Sequence, residues 1–392
     1  NDPLCAGAIM GCNKRFGKAL DLDTKIPTPN GWRTMRDIHV GDTVFGSSGK
    51  PTLVTFESEI QHNRDCYEIT FSDKSKVIAD AEHRWVASNA KDRTMVTKAI
   101  YHTKRLKEVP KQIVTTHDMF VSQRSNQDNN NWSIENCAPV EYTEKQLNIP
   151  PYILGIWLGD GNSRQAKITS IDGGIIQSWK DYGRSIGLNC VVYDSDKISY
   201  ALSGGMTGGK KDSNVFTKYL SDYNLFENKH IPLDYLQSSV EQRTELLRGL
   251  MDTDGTISKT VNFFEYCSKI ESLRDNVYEL IVSLGFKCRR FSKLNKKYNK
   301  TYYYLNFGGH HINPFKLKRK ADRFESKRGV GGIRQHFRYI EAIVKVESRP
   351  VKCIQVDNET HTYLCGESFI PTHNTEMALA HLYNRATLTI KN

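Results

Sequence analysis

Two segments of this chain repeat one another about ninety residues apart, and together they restrict what its middle can fold into. The first is Pro150-Pro151-Tyr152-Ile153-Leu154-Gly155-Ile156-Trp157-Leu158-Gly159-Asp160-Gly161; the second is Glu245-Leu246-Leu247-Arg248-Gly249-Leu250-Met251-Asp252-Thr253-Asp254-Gly255. Each is followed by strand-like residues and then by a helical stretch, Ile175 to Gly187 and Ile270 to Gly285. The prolines suit the first turn of a helix, and Gly161 and Gly255 suit its end. Gly155 and Gly159 lie four apart on one face and Gly249 answers them, so the pattern predicts two helices packed backbone to backbone. Such packing brings Asp160 and Asp254 together at the helix C-termini. There, two carboxylates and free carbonyls would bind a divalent cation and would repel each other without one. A site of that kind suits phosphodiester hydrolysis, in which metal clamps the attacking and leaving oxygens. One copy alone reads as a capped structural helix; two copies argue for a pseudo-symmetric site.

At 392 residues the chain is too long for one ordinary domain, and its hydrophobic share of 38% excludes collagenous, coiled-coil or wholly disordered classes. The net charge of +11 sits in one place: from Gly285 to Arg328 fourteen basic residues face two acidic ones, a local balance of +12. Lys287 to Leu294 and Thr301 to Phe307 read as a β-hairpin in which bases and aromatics alternate, a ribbon suited to phosphate contact and groove reading of double-stranded DNA. Lys287, Arg289, Arg290, Lys293, Lys296, Lys297 and Lys300 are the candidate DNA-binding residues. Lys316 to Arg328 adds a second cluster that extends this footprint or links back to the rest of the chain. The nine cysteines contain no C-x-x-C pair, which fits a reducing compartment. No apolar run approaches a membrane span, so a cytoplasmic protein without a membrane partner is expected.

The two ends carry halves of one motif. Gly11-Cys12-Asn13-Lys14-Arg15-Phe16-Gly17-Lys18 reads like a phosphate loop that stops before its Ser/Thr, and Thr375 opens the helix-forming run Thr375 to Tyr383. With residues 19–374 removed, Gly17, Lys18 and Thr375 would complete the loop, Lys18 on the phosphates and Thr375 on magnesium. Cys12 stands where the motif wants its first Gly, a departure seen in the viral large-terminase motors that this segment resembles. On that resemblance the host is a phage or prophage ATPase, and ATP with Mg2+ matters only once the flanks are joined. The rival reading is a packaging ATPase whose insertion never leaves or whose nuclease is dead.

The insert opens ALDLDTKIPTPNGWRTMRDIHVGDTVFG and closes VKCIQVDNETHTYLCGESFIPTHN, short β segments with turns at Pro27 to Gly31 and Val40 to Asp42. It resembles the inteins, by the T-P-x-G-W turn, the Gly-Asp turn and a closing His373-Asn374 before Thr375. Asn374 offers an amide that can attack its own carbonyl, His373 is placed to assist, and Thr375 supplies the hydroxyl that finally carries the upstream flank. Ala19 has no nucleophile where most inteins have Cys or Ser. Two explanations stay open: an engineered Cys→Ala block, or a class 3 intein, which uses an internal Cys. Asp80-Ala81-Glu82-His83-Arg84-Trp85 matches the family's internal block, with Asp80 where Thr is usual, and the resemblance implies that His83 polarises the Lys18–Ala19 amide and protonates the leaving nitrogen. Trp85, Cys353 and Thr372 fill the three positions that mark class 3, with Cys353 as nucleophile. Splicing would join Lys18 to Thr375 with no cofactor.

The repeated segments resemble the LAGLIDADG homing endonucleases: Leu247 to Gly255 keeps six of the nine letters. The resemblance implies a Mg2+-type divalent cation on Asp160 and Asp254, and a basic residue, Lys229, near them. The expected fold class is mixed: an all-β Hint splicing domain split in sequence, plus an α+β pseudo-symmetric LAGLIDADG domain, acting as a monomer on double-stranded DNA. The expected organisation is an upstream flank over 1–18, splicing halves over 19–145 and 331–374, the endonuclease over 146–330, and a downstream flank over 375–392. Residues 86–145 are polar and uninformative, an extra DNA-contacting arm or a lid.

Overall fold

The structure is a computed structural model that describes residues 18–103, 108–124, 130–192, 197–207, 210–211, 213–297, 299–327 and 333–374. The chain divides into two compact units, one formed by Asn1–Ala138 with Phe337–Asn392 and the other by Pro139–His336.

The first unit is built almost entirely of antiparallel strands. Alternation is visible in Pro51–Glu57 and Cys66–Phe71, where every second side chain is buried, as a half-buried strand requires. The main sheet runs in the order Val351–Lys352, Leu20–Asp21, Lys76–Asp80, Cys66–Phe71, Phe337–Val346, Ser133–Glu135, Arg84–Ser88, Ile370–His373, Thr362–Cys365, and Gln112–Thr115 also pairs with Arg84–Ser88. Each turn expected from Pro and Gly is present: Lys25–Thr28 and Gly31–Thr34 form a hairpin, with Gly31 at φ 107° and Gly41 at φ 93°. Both positions lie in the left-handed region, where a side chain is strained. Trp85, Phe71, Tyr67, Met119 and Ile343 lie in one apolar core. Arg338 and Asp73, both almost fully buried, pair at 2.8 Å, and the guanidinium also donates to Asn136 Oδ1 and Ser368 O. That network ties the strand Phe337–Val346 to the first part of the chain. Residues 86–138, which carry no clear pattern, contribute the helices Ala90–Thr103 and Thr116–Val121 and two strands of the sheet.

The topology places the two ends of the insert side by side. Leu20 pairs with Ala79, His373 pairs with Arg84, and only the turn Asp80–His83 separates those two partners.

In the second unit the repeat is three-dimensional. Helix Pro151–Asp160 leads to the sheet of Lys167–Thr169, Ser199–Ser203 and Asn189–Val192 with helix Gly173–Ser185. Helix Val240–Asp254 leads to the sheet of Gly255–Ile257, Phe263–Ser268, Lys300–Gly308 and Lys287–Asn295 with helix Glu271–Ser283. The second helix starts on a capping box, Ser239 with Gln242. The two repeat helices cross at their glycines: a Cβ on Gly155 would sit 2.5 Å from Leu246 O and 2.9 Å from Gly249 Cα. Gly161 and Gly255 are not left-handed caps, having φ −77° and −99°. Glycine is needed there because a Cβ would strike the backbone of the preceding turn, Trp157 O at 2.2 Å or Met251 O at 2.6 Å.

Candidate functional site

The first site lies where the two ends of the insert meet. Asp80 grips Ala19 from both sides: its N–H donates to Ala19 O at 3.0 Å, and its Oδ1 accepts from Ala19 N at 3.2 Å. The Asp80 carboxyl is fully buried, and burial pushes it up while Arg64, donating from Nε and Nη2 at 3.2 and 3.0 Å, pulls it down. His83 is also fully buried, which lowers its ring from 6.5 to about 3, so it is neutral at ordinary pH. Its Nε2 faces Thr372 Oγ1, and its Nδ1 makes no well-formed hydrogen bond, although the Lys18 backbone offsets part of the burial effect. Asp80 is the group in hydrogen-bond contact with the Ala19 nitrogen, while His83 stands between the Lys18 backbone and Thr372 of the closing strand, beside the junction on which it is expected to act. The turn directs Asp80 back along Leu20, while the His83 ring packs edge-on to Trp85 at 4.9 Å.

Trp85 is buried and donates from Nε1 to Thr116 Oγ1 at 3.0 Å, and that hydroxyl donates to His83 O at 3.2 Å. Cys353, 1% exposed, packs in one small cluster with Ala19, Cys66 and Val351. On the closing strand, His373 Nδ1 lies 2.6 Å from Asn374 O, so that nitrogen carries the proton and polarises the carbonyl. Asn374 Nδ2 donates to Val356 O at 3.1 Å, and its N–H donates to His361 O at 2.7 Å. Burial lowers the His373 ring as well, and the Lys18 charge lowers both His83 and His373. Lys18 and Asn374 thus share one neighbourhood. Gly17 and Thr375 lie outside the described residues, and so do the phosphate-loop halves apart from Lys18.

The second site lies at the C-termini of the repeat helices. Asp254 is raised from 3.8 to about 6, first by burial and then by the Asp160 charge, while Lys229 and Lys320 pull it down. Asp160 is raised by burial, against Lys229 and a hydrogen bond from Ser170. A Cβ on Gly159 would lie 3.2 Å from Asp254 Oδ2, so the second carboxylate rests against the end of the first helix. The helix-end carbonyls expected to be free are occupied. Lys229 Nζ donates to Leu158 O at 2.9 Å and Gly161 O at 2.7 Å. Lys320 Nζ donates to Asp252 O at 2.8 Å and Gly255 O at 2.7 Å, the equivalent positions of the second repeat. The physical reason is the partial negative charge at a helix C-terminus, which draws a buried ammonium. Burial lowers both lysines to about 8.

Sequence reasoning counted Lys320 with the surface cluster, yet it is 7% exposed. A signal was available: Lys320 follows Gly255 by 65 residues and Lys229 follows Gly161 by 68. Arg64 carried no such signal. Among the described residues no group of three or more His, Cys, Asp or Glu is placed to hold a metal.

On the hairpin Lys287–Asn295/Lys300–Gly308, Arg289, Phe291 and Lys293 share a face with Tyr302, Tyr304 and Asn306. Phe291 stacks on Tyr304 with centroids 5.3 Å apart, and Lys293 Nζ lies about 5 Å from both rings. Arg290 is on the other face, over the Tyr278 ring at 4.8 Å, and Lys287 donates to Arg334 O at 2.8 Å. Lys296, Lys297 and Lys300 stand exposed at the tip.

Residues 241–317 match the family model of the LAGLIDADG-like domain. A replicative DNA helicase DnaB of Mycobacterium intracellulare is 34% identical over 381 residues, covering 95% of this chain and 61% of the relative. The chain therefore spans about three-fifths of the length of that relative. The MchDnaB-1 intein is 16% identical, with 91% of this chain and all of that chain covered and a TM-score of 0.29. The endonuclease I-DmoI in complex with DNA and Mn is 17% identical, with 46% of this chain and 96% of that chain covered and a TM-score of 0.28. The terminase-like host is overturned, because the relative that matches nearly the whole chain is a replicative helicase. Cys12 in the place of a Gly, on which the terminase resemblance leaned, is too little to identify a host. No helix among the described residues is long and apolar enough to cross a membrane. The chain thus has one unit built of antiparallel strands drawn from both ends of the insert and one unit of repeated helix-and-sheet halves, the second of which matches the LAGLIDADG-like domain.

Proposed function

We propose that this chain excises residues 19–374 autocatalytically and joins Lys18 to Thr375, and that its second unit is a site-specific nuclease for double-stranded DNA. The observation that carries the first part is the convergence of both junctions on the turn Asp80–His83, with Asp80 on Ala19 and His83 on Thr372. Cys353, packed against Ala19, attacks the Lys18 carbonyl; the C–N bond to Ala19 breaks and the thiol proton ends on the released amine. Thr375 Oγ then takes the acyl group. Asn374 Nδ2 attacks its own carbonyl, which His373 polarises; the succinimide closes as the Asn374–Thr375 C–N bond breaks, and the proton lost from Nδ2 ends on the Thr375 nitrogen. An O-to-N shift then forms the Lys18–Thr375 peptide bond, so that the two peptide bonds broken are replaced by one new peptide bond and the C–N bond of the succinimide. Ala19 beside a buried Cys353 supports the internal-nucleophile, class 3 reading over a blocked first residue.

In the nuclease, Asp160 and Asp254 would hold a divalent cation. The fit rests on two half-buried carboxylates, both raised by burial and Asp254 raised further by the Asp160 charge, a cost that a cation relieves. When bound, the cation supplies Lewis-acid stabilisation of charge on the reacting phosphate. Lys229 and Lys320 seal the helix ends, so the remaining ligands come from outside this set. Both repeats belong to one chain, so the reading needs no second copy.

The test is mass spectrometry of freshly expressed chain, with Cys353→Ala and Asn374→Ala beside it. An excised product of residues 19–374 with the flanks joined is expected from the parent. Asn374→Ala should stop release of the downstream flank, and Cys353→Ala should leave the upstream junction intact. Unimpaired splicing by Cys353→Ala would rule out the internal nucleophile.

A further inference from the structure

The carboxylate on the scissile nitrogen does not hold its position unaided. Asp80 has no solvent exposure, and Arg64 reaches it with two guanidinium nitrogens at 3.2 and 3.0 Å, both on Oδ2, leaving Oδ1 for Ala19 N. Arg64 itself is one-third exposed, so it carries charge from the surface to a buried group. Among the described residues, the other charged or titratable groups around this place include Lys18 before Ala19, Glu82 and His83 in the same turn, and the Cys66 thiol directly across the strand pair from Asp80, which Asp21 and Arg349 also influence. Of these only Arg64 is positive and in direct contact with the carboxylate.

We propose that Arg64 is a positioning residue for the upstream cleavage, holding Asp80 ionised and aimed at Ala19 N so that the leaving amine is met by a carboxylate as it gains its proton. The proposal rests on the splicing reading above. In the step concerned, the Cys353 S–C bond to Lys18 forms, the Lys18–Ala19 C–N bond breaks, and the thiol proton ends on the Ala19 nitrogen. In the tetrahedral species the nitrogen that has taken the thiol proton is positively charged until its C–N bond breaks, and in a buried place that charge is favoured by an adjacent anion and not by a neutral carboxylic acid. Burial pushes Asp80 toward the neutral form and Arg64 opposes it. Removing Arg64 therefore hands control to burial, and Asp80 takes up its proton at a higher pH.

The experiment follows each junction separately in the full chain as a function of pH. Dithiothreitol-released upstream flank reports thioester formation at Lys18, and release of the downstream flank reports Asn374 cyclisation. Arg64→Gln should move the acid limb of the upstream step to higher pH, making that step about tenfold slower on the acid side of the profile and leaving it close to the parent on the alkaline side. The downstream release should be unchanged, and Arg64→Lys should recover part of the loss. An unchanged upstream pH profile in Arg64→Gln overturns the proposal. So does an equal loss at both junctions, which would mark Arg64 as merely structural. If the parent chain itself releases neither flank, it is the splicing reading that fails, and the two failures are thereby distinguished.

Discussion

The two sites use opposite treatments of a buried acid. Asp80 has a guanidinium in contact that works against its desolvation, whereas Asp254 faces a second carboxylate and two lysines already committed to helix carbonyls. The consequence for stability can be signed. Asp254 has a folded value of about 6 against an ordinary 3.8, so the folded state holds the proton more tightly. Stability from that proton is present at low pH and is lost as pH rises through about 6. Asp254→Asn, which cannot ionise, should therefore stabilise the second unit at pH 7 by on the order of 1–2 kcal/mol. It should give no gain at pH 4, and it should abolish DNA cleavage. Thermal melts at the two pH values check the first two outcomes, and a gain at pH 4 equal to that at pH 7 would refute the assignment of strain to the charge. Of the residues at these sites, those within local motifs were legible: the Asp-Gly ends, His83 and the closing His373-Asn374. Arg64 was not, because it acts on Asp80 16 residues away, and Lys320 was legible only through its distance of 65 residues from Gly255, close to the 68 that separate Lys229 from Gly161. Nothing in their own neighbourhoods distinguishes them from solvated bases.

Among the elements, the helix pair is the most exacting. At Gly155 and Gly249 the backbones themselves are in contact, so no side-chain rearrangement can accommodate a methyl group. Gly155→Ala should destabilise the second unit by about 1–3 kcal/mol, as overpacking of a rigid contact does, and a chemical denaturation midpoint would read it. Gly173, with open space around its Cβ position, is the control that should change little. The helix pair was readable because glycine spacing, helix period and flanking prolines all agree over a dozen residues. The hairpin was readable for the same reason, with its strands extending one residue beyond the expected ends. Which side of it reads DNA was not, since alternation alone does not say which set faces the core. Cys288, Leu305 and Phe307 are buried, and they set Arg290 on their own side. Arg289→Ala with Lys293→Ala should thus weaken DNA binding at every sequence and reduce the slope of affinity against salt by about two, whereas Arg290→Ala should lower it less. Titrations at several ionic strengths measure this directly.

For the whole molecule, the splicing unit is assembled from the two extremes of the insert, and this could be inferred from paired motifs at both ends but not from any strand signal. The strand Phe337–Val346 lies inside the main sheet, between Cys66–Phe71 and Ser133–Glu135. Its position depends on pairing across more than two hundred residues, which no local pattern announces. The host was misread for a related reason: a short phosphate-loop match is common, and the flanks offer little else. Glu135 is the direct cross-strand partner of Phe337. Replacing residues 139–336 by a short linker should therefore leave splicing intact while removing DNA cleavage, and product analysis of the shortened chain tests this; loss of splicing in a soluble, folded product would count against two separable units. The same adjacency has a further consequence. A chain severed anywhere within the second unit yields two polypeptides, each holding half of one hydrogen-bonded ladder and neither able to bury its core without the other. Such pieces would recognise each other by sheet complementation, and ligation of their flanks would then report on their encounter.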